Sequence, residues 1–325
     1  MRAVIQNGYG GPEVLTIGDA PTPEPKPDEV LVEVHAAGLD RGTWHLMTGT
    51  PLAVRLATGL RHPRQPVPGI DLTGTVRGKG AQVTRFSIGD RVVGIGQGTF
   101  AEFAVASEAK LAHAPTDTPA SDLAVLPVSG ITAYQAVHTH GAVQSGQRVL
   151  VLGASGGVGH FAVQMAAALG AQVTGVCSTP NVDFVRSLGA AKVVDRTQGE
   201  APTGQFDVVI DIAGNPSLRE LLDLLTPAGS AVIVGGEGGG RLLGGLDRQA
   251  RAVALSPFIQ KRLEPLVASE NHTDLEAVLQ LVSEGQVRPR VFRTVPMVQV
   301  ATGMQMLIDG RVQGKIAVDV CSSDQ

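Results

Sequence analysis

Only two cysteines, Cys177 and Cys321, occur in the 325 residues, which excludes a disulfide framework and any cysteine-rich zinc cluster. Two free thiols predict a reducing, cytoplasmic setting. Aromatic residues are scarce (8 Phe, 2 Tyr and 1 Trp), so rows of base-stacking side chains cannot be built. The 26 Lys and Arg nearly balance the 30 Asp and Glu, leaving a formal net charge of −4 and no basic block. Neither nucleic acid nor an anionic membrane surface is therefore expected as a partner. No continuous apolar stretch reaches the ~18–20 residues of a membrane span. The start, Met1-Arg2-Ala3-Val4-Ile5-Gln6, runs into Asn7-Gly8-Tyr9-Gly10-Gly11 without the apolar core of a signal peptide. A soluble chain is expected.

What is abundant is glycine, 41 of 325 residues or about 13%, close to twice the usual ~7%. No Gly-X-Y period accompanies it, so the excess serves tight turns and close backbone approaches. The hydrophobic fraction of 43% is ordinary for a folded protein. At ~100–200 residues per domain the length allows one large domain or two.

The first ~115 residues read as short strands between turns. Glu29–Val34 alternates polar and apolar, and Asp71–Arg77, Arg91–Ile95 and Phe100–Ala106 behave similarly. This texture predicts a small, partly closed β-barrel or sandwich. The prolines of Pro21–Pro27 mark a connection that cannot continue a sheet. From about residue 120 the rhythm changes. Arg148–Leu152 is an apolar run suited to a strand buried on both faces, and Phe161, Gln164, Met165 and Leu169 follow at helical spacing. Strands at Gln172–Cys177, Lys192–Asp195, Phe206–Asp211 and Ser230–Val234 then alternate with helices such as Asn181–Leu188 and Ser217–Leu225. The alternation predicts a doubly wound parallel sheet with helices on both faces. From Val287 strand-and-turn texture returns. The expected α/β organisation is 1–118 with 287–325 as one domain and 119–286 as the other, the tail rejoining the first domain; a separate appendage would look alike.

Gly153-Ala154-Ser155-Gly156-Gly157-Val158-Gly159 follows the apolar strand and opens a helix. Backbone without Cβ can approach a pyrophosphate closely, and a helix N-terminus offers free N–H groups. Gly159 would let helix and strand pack tightly, while Ala154 takes the place of the fingerprint's first glycine, which that turn tolerates if its φ is negative. The unit from Arg148 to Cys177 spans strand, loop, helix and strand, the context such a motif requires. A ligand-free glycine turn is the competing reading. The end of the second strand, Val176-Cys177-Ser178-Thr179-Pro180-Asn181, carries no acid until Asp183. A carboxylate there would select the ribose 2′-OH of NAD; neutral hydroxyls admit a 2′-phosphate, so NADPH is expected. Arg196, with Arg186 as runner-up, would supply a cation, the competing reading being a solvated surface arginine.

The barrel-then-nucleotide-fold order, the GASGGVG loop, GDRVVG (Gly89–Gly94), LPVSGITAYQAV (Leu126–Val137) and VTGVCST (Val173–Thr179) resemble the medium-chain dehydrogenase/reductase superfamily. The branch it is most similar to is that of the zinc-independent, zeta-crystallin-like quinone oxidoreductases. The resemblance spans the chain, including Gly314-Lys315. It implies a GroES-like β-barrel catalytic domain, a Rossmann cofactor domain, a cleft between them and a homodimer joined through the cofactor domains. In zinc-dependent relatives a cysteine stands where this chain has Asp40, and a His-Glu pair where it has Ile70-Asp71. Two carboxylates without His or Cys make a poor zinc site, so no catalytic metal is expected.

By the same resemblance, Thr132 falls near the nicotinamide, as do Gly235 and Gly236 after the fifth strand. Lys315 and Arg41 fall near the pyrophosphate, and Ser178 and Thr179 match the loop for the 2′-phosphate. Asp40, Ala213, and Ala154, Ser155, Gly156, Gly157, Val158 and Gly159 of the glycine loop complete the cofactor set. The chain departs from the pattern at Pro180, where similar proteins carry Lys or Arg, and at Arg196, where they often carry Tyr. Arg196 is expected to replace the lost cation.

Without a Lewis acid, the accessible chemistry is hydride transfer to an acceptor that is already electrophilic, such as a quinone or an α,β-unsaturated carbonyl. His45 is the candidate for polarising or protonating it and Thr43 for a hydrogen bond to it; a surface or capping histidine is the competing reading. Trp44 reads as packing. Pro51–Arg64 is expected at the substrate entrance and Gly236–Asp247 near the nicotinamide. Three functions stay open: an NADPH-dependent quinone reductase, an NADPH-dependent alkenal or enone reductase, and an NADPH-binding protein without turnover.

Overall fold

Arg2–Gln6 (β1) and Leu15–Asp19 (β2) pair antiparallel at the start of the chain. The proline-rich segment then leads into β3 (Glu29–Leu39), the longest strand, whose alternating buried positions follow the sequence pattern. One edge of β3 pairs with β4 (Asp71–Lys79), which continues to β5 (Arg91–Ile95) and β7 (Leu111–His113). Its other edge is shared: Glu29–Glu33 pair with β6 (Phe103–Ser107), and Ala36–Leu39 with β15 (Lys315–Asp319), which lies beside β14 (Val291–Pro296). The C-terminal segment thus rejoins the first sheet, as expected. The expected strand from Phe100 starts later, because its first residues pair with β1: Phe100 accepts from Val4 N–H and Glu102 donates to Arg2. Leu39, Met47, Leu72, Phe86, Phe100 and Leu111 fill the core. Short helices α1 (Arg41–Thr48), α2 (Arg55–Thr58) and α3 (Ala120–Leu123) flank the strands, and α4 (Pro127–Tyr134) follows.

The second sheet is six-stranded and wholly parallel: β8 (Arg148–Leu152), β9 (Gln172–Cys177), β10 (Lys192–Asp195), β11 (Phe206–Asp211), β12 (Leu225–Ile233) and β13 (Arg262–Pro265). Their spatial order, β10-β9-β8-β11-β12-β13, is that of the dinucleotide-binding doubly wound fold, with its topological switch between β8 and β11. Helices α5 (Gly159–Ala168), α6 (Val182–Ser187), α7 (Leu218–Leu224) and α8 (Leu246–Leu255) connect the strands, and α9 (His272–Ser283) and α10 (Val300–Ile308) follow β13. Ser217 caps α7, bonded reciprocally with Glu220 three residues on. The core here is Leu150, Val194, Phe206, Val209, Leu221 and Ile233 among others.

This computed structural model describes all residues except 236–239, 241, 257–258 and 322–325. The chain divides into two compact units. One comprises Met1–Gly130, Glu270–Leu279 and Pro289–Gln325, the other Ile131–Ser269 and Gln280–Arg288. Among the described residues, no helix is long and apolar enough to cross a membrane.

Candidate active site

At the crest of the parallel sheet, the glycine loop has the geometry its composition demands. Gly153 turns the chain off β8 with φ of 87°, and Ala154 keeps a negative φ, the condition on which alanine is tolerated there. A Cβ on Gly159 would lie 2.0 Å from the Gly153 carbonyl oxygen, so only glycine lets α5 approach β8. Gly156 is different. A Cβ there would meet only the Gly153 oxygen, at 3.5 Å, an ordinary contact. Packing within the chain therefore does not require that glycine, whereas a phosphate laid on the loop would. Ala213, after β11, donates its N–H to Leu152 and packs beside Gly153, where the neighbouring loop borders the switch point. Gly157 and Val158 lead into α5, whose N-terminus faces the same loop.

At the end of β9 the expected hydroxyls are joined by a residue the sequence reading missed. The buried Asn181 amide donates to Ser178 Oγ and Ser155 Oγ, both at 3.1 Å. The two serines are acceptors in these bonds, so their own hydroxyl protons stay available to an anion. Thr179 is used differently: its hydroxyl is the main influence holding the Asp195 carboxyl below its ordinary range, with the Thr197 N–H adding to it. Arg196 is exposed. Burial and Asp195 push the Cys177 thiol up to about 11, and Arg196 works in the opposite direction, so its positive charge is felt at the end of β9. Arg186 pairs with Asp183 at 2.7 Å on the surface. Thr132 is buried in α4, Gly235 follows β12, and Gly236 lies outside the described residues.

In the barrel unit, the second set of candidates gathers around a buried charge cluster. Lys315, only 2% exposed, opens β15 and brings its ammonium to 3.2 Å from Asp71 Oδ2 and 3.9 Å from Asp40 Oδ2. Asp71, with no exposed surface, accepts the Val128 N–H at its other oxygen. Gly38 leaves room for it, since a Cβ there would lie 2.8 Å from Asp71 Oδ2. Burial, and then the Asp40 charge, push the Asp71 carboxyl up to about 7 against the pull of Lys315. Asp40 caps α1 through the Thr43 N–H at 2.7 Å, and its Oδ2 is buried without a hydrogen-bond partner among the described residues. Thr43 Oγ1 is likewise buried and unpartnered. His45 Nδ1 lies 2.7 Å from the Thr50 carbonyl; a carbonyl can only accept, so Nδ1 carries the proton and Nε2 is left for another partner. The Arg41 guanidinium sits over the Trp44 ring at 5.2 Å, and Trp44 packs on the barrel core.

Residues 26–116 match the family described as alcohol dehydrogenase GroES-like domain, and residues 188–318 the family described as zinc-binding dehydrogenase. A chloroplast envelope quinone oxidoreductase homolog of Arabidopsis thaliana is 32% identical, the match covering 98% of each chain. The chain belongs to the medium-chain dehydrogenase/reductase family, among its quinone oxidoreductases. The human quinone oxidoreductase is 32% identical over 73% of this chain and 74% of its own. The structure of the quinone oxidoreductase from Coxiella burnetii superposes with a TM-score of 0.87 at 29% identity, covering 98% of this chain and 99% of the other.

Membership of this oxidoreductase family brings a nicotinamide cofactor, and the crest fits one. Gly156 stays bare, which leaves room for a phosphate against the loop, and Ser155 and, at the end of β9, Ser178 accept from Asn181 and keep hydroxyl protons for the cofactor's phosphate oxygens. Zinc, which one family description implies, does not fit. Its preferred donors are thiolate and imidazole, whereas Asp40 and Asp71 offer two carboxylates with the Lys315 ammonium already between them.

Proposed function

We propose that this protein transfers a hydride from NADPH to a quinone-type acceptor without a metal. The observation that carries the metal-free reading is the buried Lys315 ammonium lying on Asp71 and Asp40. Quinone oxidoreductase relatives that match nearly the whole chain support the acceptor class. For the choice of NADPH, the support is the absence of an acid at the end of β9, the free hydroxyl protons of Ser155 and Ser178, and the charge of Arg196.

The bound nicotinamide supplies the hydride. The protein's task is to hold it beside an electrophile that needs no Lewis acid, because the arriving charge delocalises onto a quinone oxygen. Thr43 brings a buried hydroxyl with no partner among the described residues, which suits it to donate to that oxygen. His45, its Nδ1 fixed on Thr50, offers Nε2 for moving a proton. Neither is indispensable, since water can protonate a hydroquinone anion. The assembly proposed is a homodimer, and the substrate a small hydrophobic electrophile.

The test is loss of reduced-nicotinamide absorbance with NADPH and NADH against quinones, alkenals and simple ketones. Fast NADPH oxidation by quinones supports the proposal. Turnover of alkenals alone would replace it with an enone reductase, and cofactor binding without turnover would leave a binding protein.

A further inference from the structure

Asp211, the last residue of β11, is completely buried and organises the loops on both sides of it. Its Oδ1 accepts the Gly214 N–H at 3.0 Å, within the loop that follows β11. Its backbone carbonyl accepts the N–H groups of Val234 and Gly235, at 2.9 and 3.1 Å, from the loop that follows β12. Its Oδ2 accepts from Arg248 Nη2 at 2.5 Å, and Arg248 Nη1 lies 3.5 Å from the Gly235 carbonyl. The two loops touch closely: a Cβ on Gly235 would stand 1.9 Å from the Ile212 oxygen.

Such an ion pair is a poor device for stability alone, because desolvation of both charges offsets their attraction. This one is also incompletely satisfied, since Arg248 Nε is buried with no partner among the described residues. Burial pushes the Asp211 carboxyl up, and Arg248 opposes it. In this fold β11 and β12 belong to the second mononucleotide half, at the nicotinamide end of the crevice.

We infer that Arg248 is a positioning residue that, through the Asp211 carboxylate and the Gly235 carbonyl, sets Gly214 and Gly235 at the ends of β11 and β12 so that the nicotinamide end of the cofactor is held in place. This rests on the reading that the crest binds a nicotinamide dinucleotide. On that reading the adenine end belongs to the glycine loop and Ser178, to which, among the described residues, neither the Asp211 nor the Arg248 side chain bonds.

The experiment compares wild type with Arg248→Gln and Arg248→Lys by calorimetric titration, using the whole cofactor and its adenine end alone. The pair is NADPH with 2′,5′-ADP or, should NADH bind more tightly, NADH with 5′-AMP. Arg248→Gln is expected to weaken the whole cofactor about tenfold, to leave the adenine fragment within about twofold, and Arg248→Lys to fall between. Equal weakening of both ligands would overturn the inference, making the arginine a general support of the fold. Unchanged binding of both would overturn it as well. A wild-type protein that binds neither ligand would overturn the cofactor reading itself, and the inference with it.

Discussion

The Lys315 ammonium lies 3.2 Å from Asp71 Oδ2, joining residues 244 positions apart in a buried cluster. The lysine is a fixed, covalent cation set against Asp71 and Asp40. Its removal leaves the buried Asp71 and Asp40 carboxyls without their cation. Lys315→Met should therefore destabilise the protein by about 3–5 kcal/mol, the scale for breaking one side of a buried pair, read as a lowered denaturation midpoint. A change under about 1 kcal/mol would contradict this account of the cluster.

The same cluster sets a pH dependence whose sign follows from burial. The Asp71 carboxyl, pushed up to about 7, titrates well below that in the unfolded chain, near ~3.9. Between those values the folded state holds a proton that the unfolded state has lost. The contribution of Asp71 is therefore present in full at acid pH and is lost as pH rises through 7. Asp71→Asn should flatten the fall in stability between about pH 4 and 7 relative to wild type. Denaturation curves at several pH values compare the two slopes, and parallel slopes would refute the assignment.

Gly156 and Gly159 make opposite predictions although both belong to the glycine loop. Gly159→Ala drives a methyl into the Gly153 carbonyl at 2.0 Å and should lower the melting temperature by several degrees. Gly156→Ala meets only an ordinary contact at 3.5 Å, so the fold should be kept while cofactor affinity falls by about tenfold or more. Melting curves and calorimetric titration separate the two effects. Unchanged NADPH binding in Gly156→Ala would mean that the loop does not carry the pyrophosphate.

Arg196 is assigned the cation that Pro180 cannot supply. Arg196→Ala should lower the NADPH/NADH ratio of kcat/KM by about tenfold, the scale of one charge-assisted hydrogen bond. An unchanged ratio would return Arg196 to the solvated surface.

His45→Gln should reduce kcat by no more than about tenfold, short of the ~10²–10⁴ expected of an indispensable general acid. Steady-state rates with a quinone check this, and a larger loss confined to kcat would give the imidazole a greater role.

Local chemistry made much of the fold legible. The runs Arg148–Leu152, Gln172–Cys177 and Phe206–Asp211 are strands over those residues because strands buried on both faces must be apolar throughout. The glycine loop was readable because its demands lie within a few residues of one another. What escaped was long-range. Phe100 pairs with β1, across nearly a hundred residues, so its strand begins later than alternation suggests. Asp211 and Arg248 are separated by 37 positions and look like an ordinary strand end and an ordinary helix arginine. Asn181 carried a weak signal, a turn-type residue just after Ser178-Thr179-Pro180, but its bond to Ser155 depends on the fold bringing two loops together. Lys315, expected at the pyrophosphate, proves to have its ammonium on Asp71, a partner that no spacing rule connects to it.

The central claim is that hydride transfer to quinones proceeds here without a metal, the buried Lys315 ammonium lying on Asp71 and Asp40 where zinc-dependent relatives hold theirs. The most direct measurement determines zinc content and NADPH–quinone kcat/KM on the same protein sample, before and after a strong chelator. The account predicts no stoichiometric zinc and an unchanged kcat/KM. Activity that falls with removal of zinc and returns when zinc is restored would contradict it.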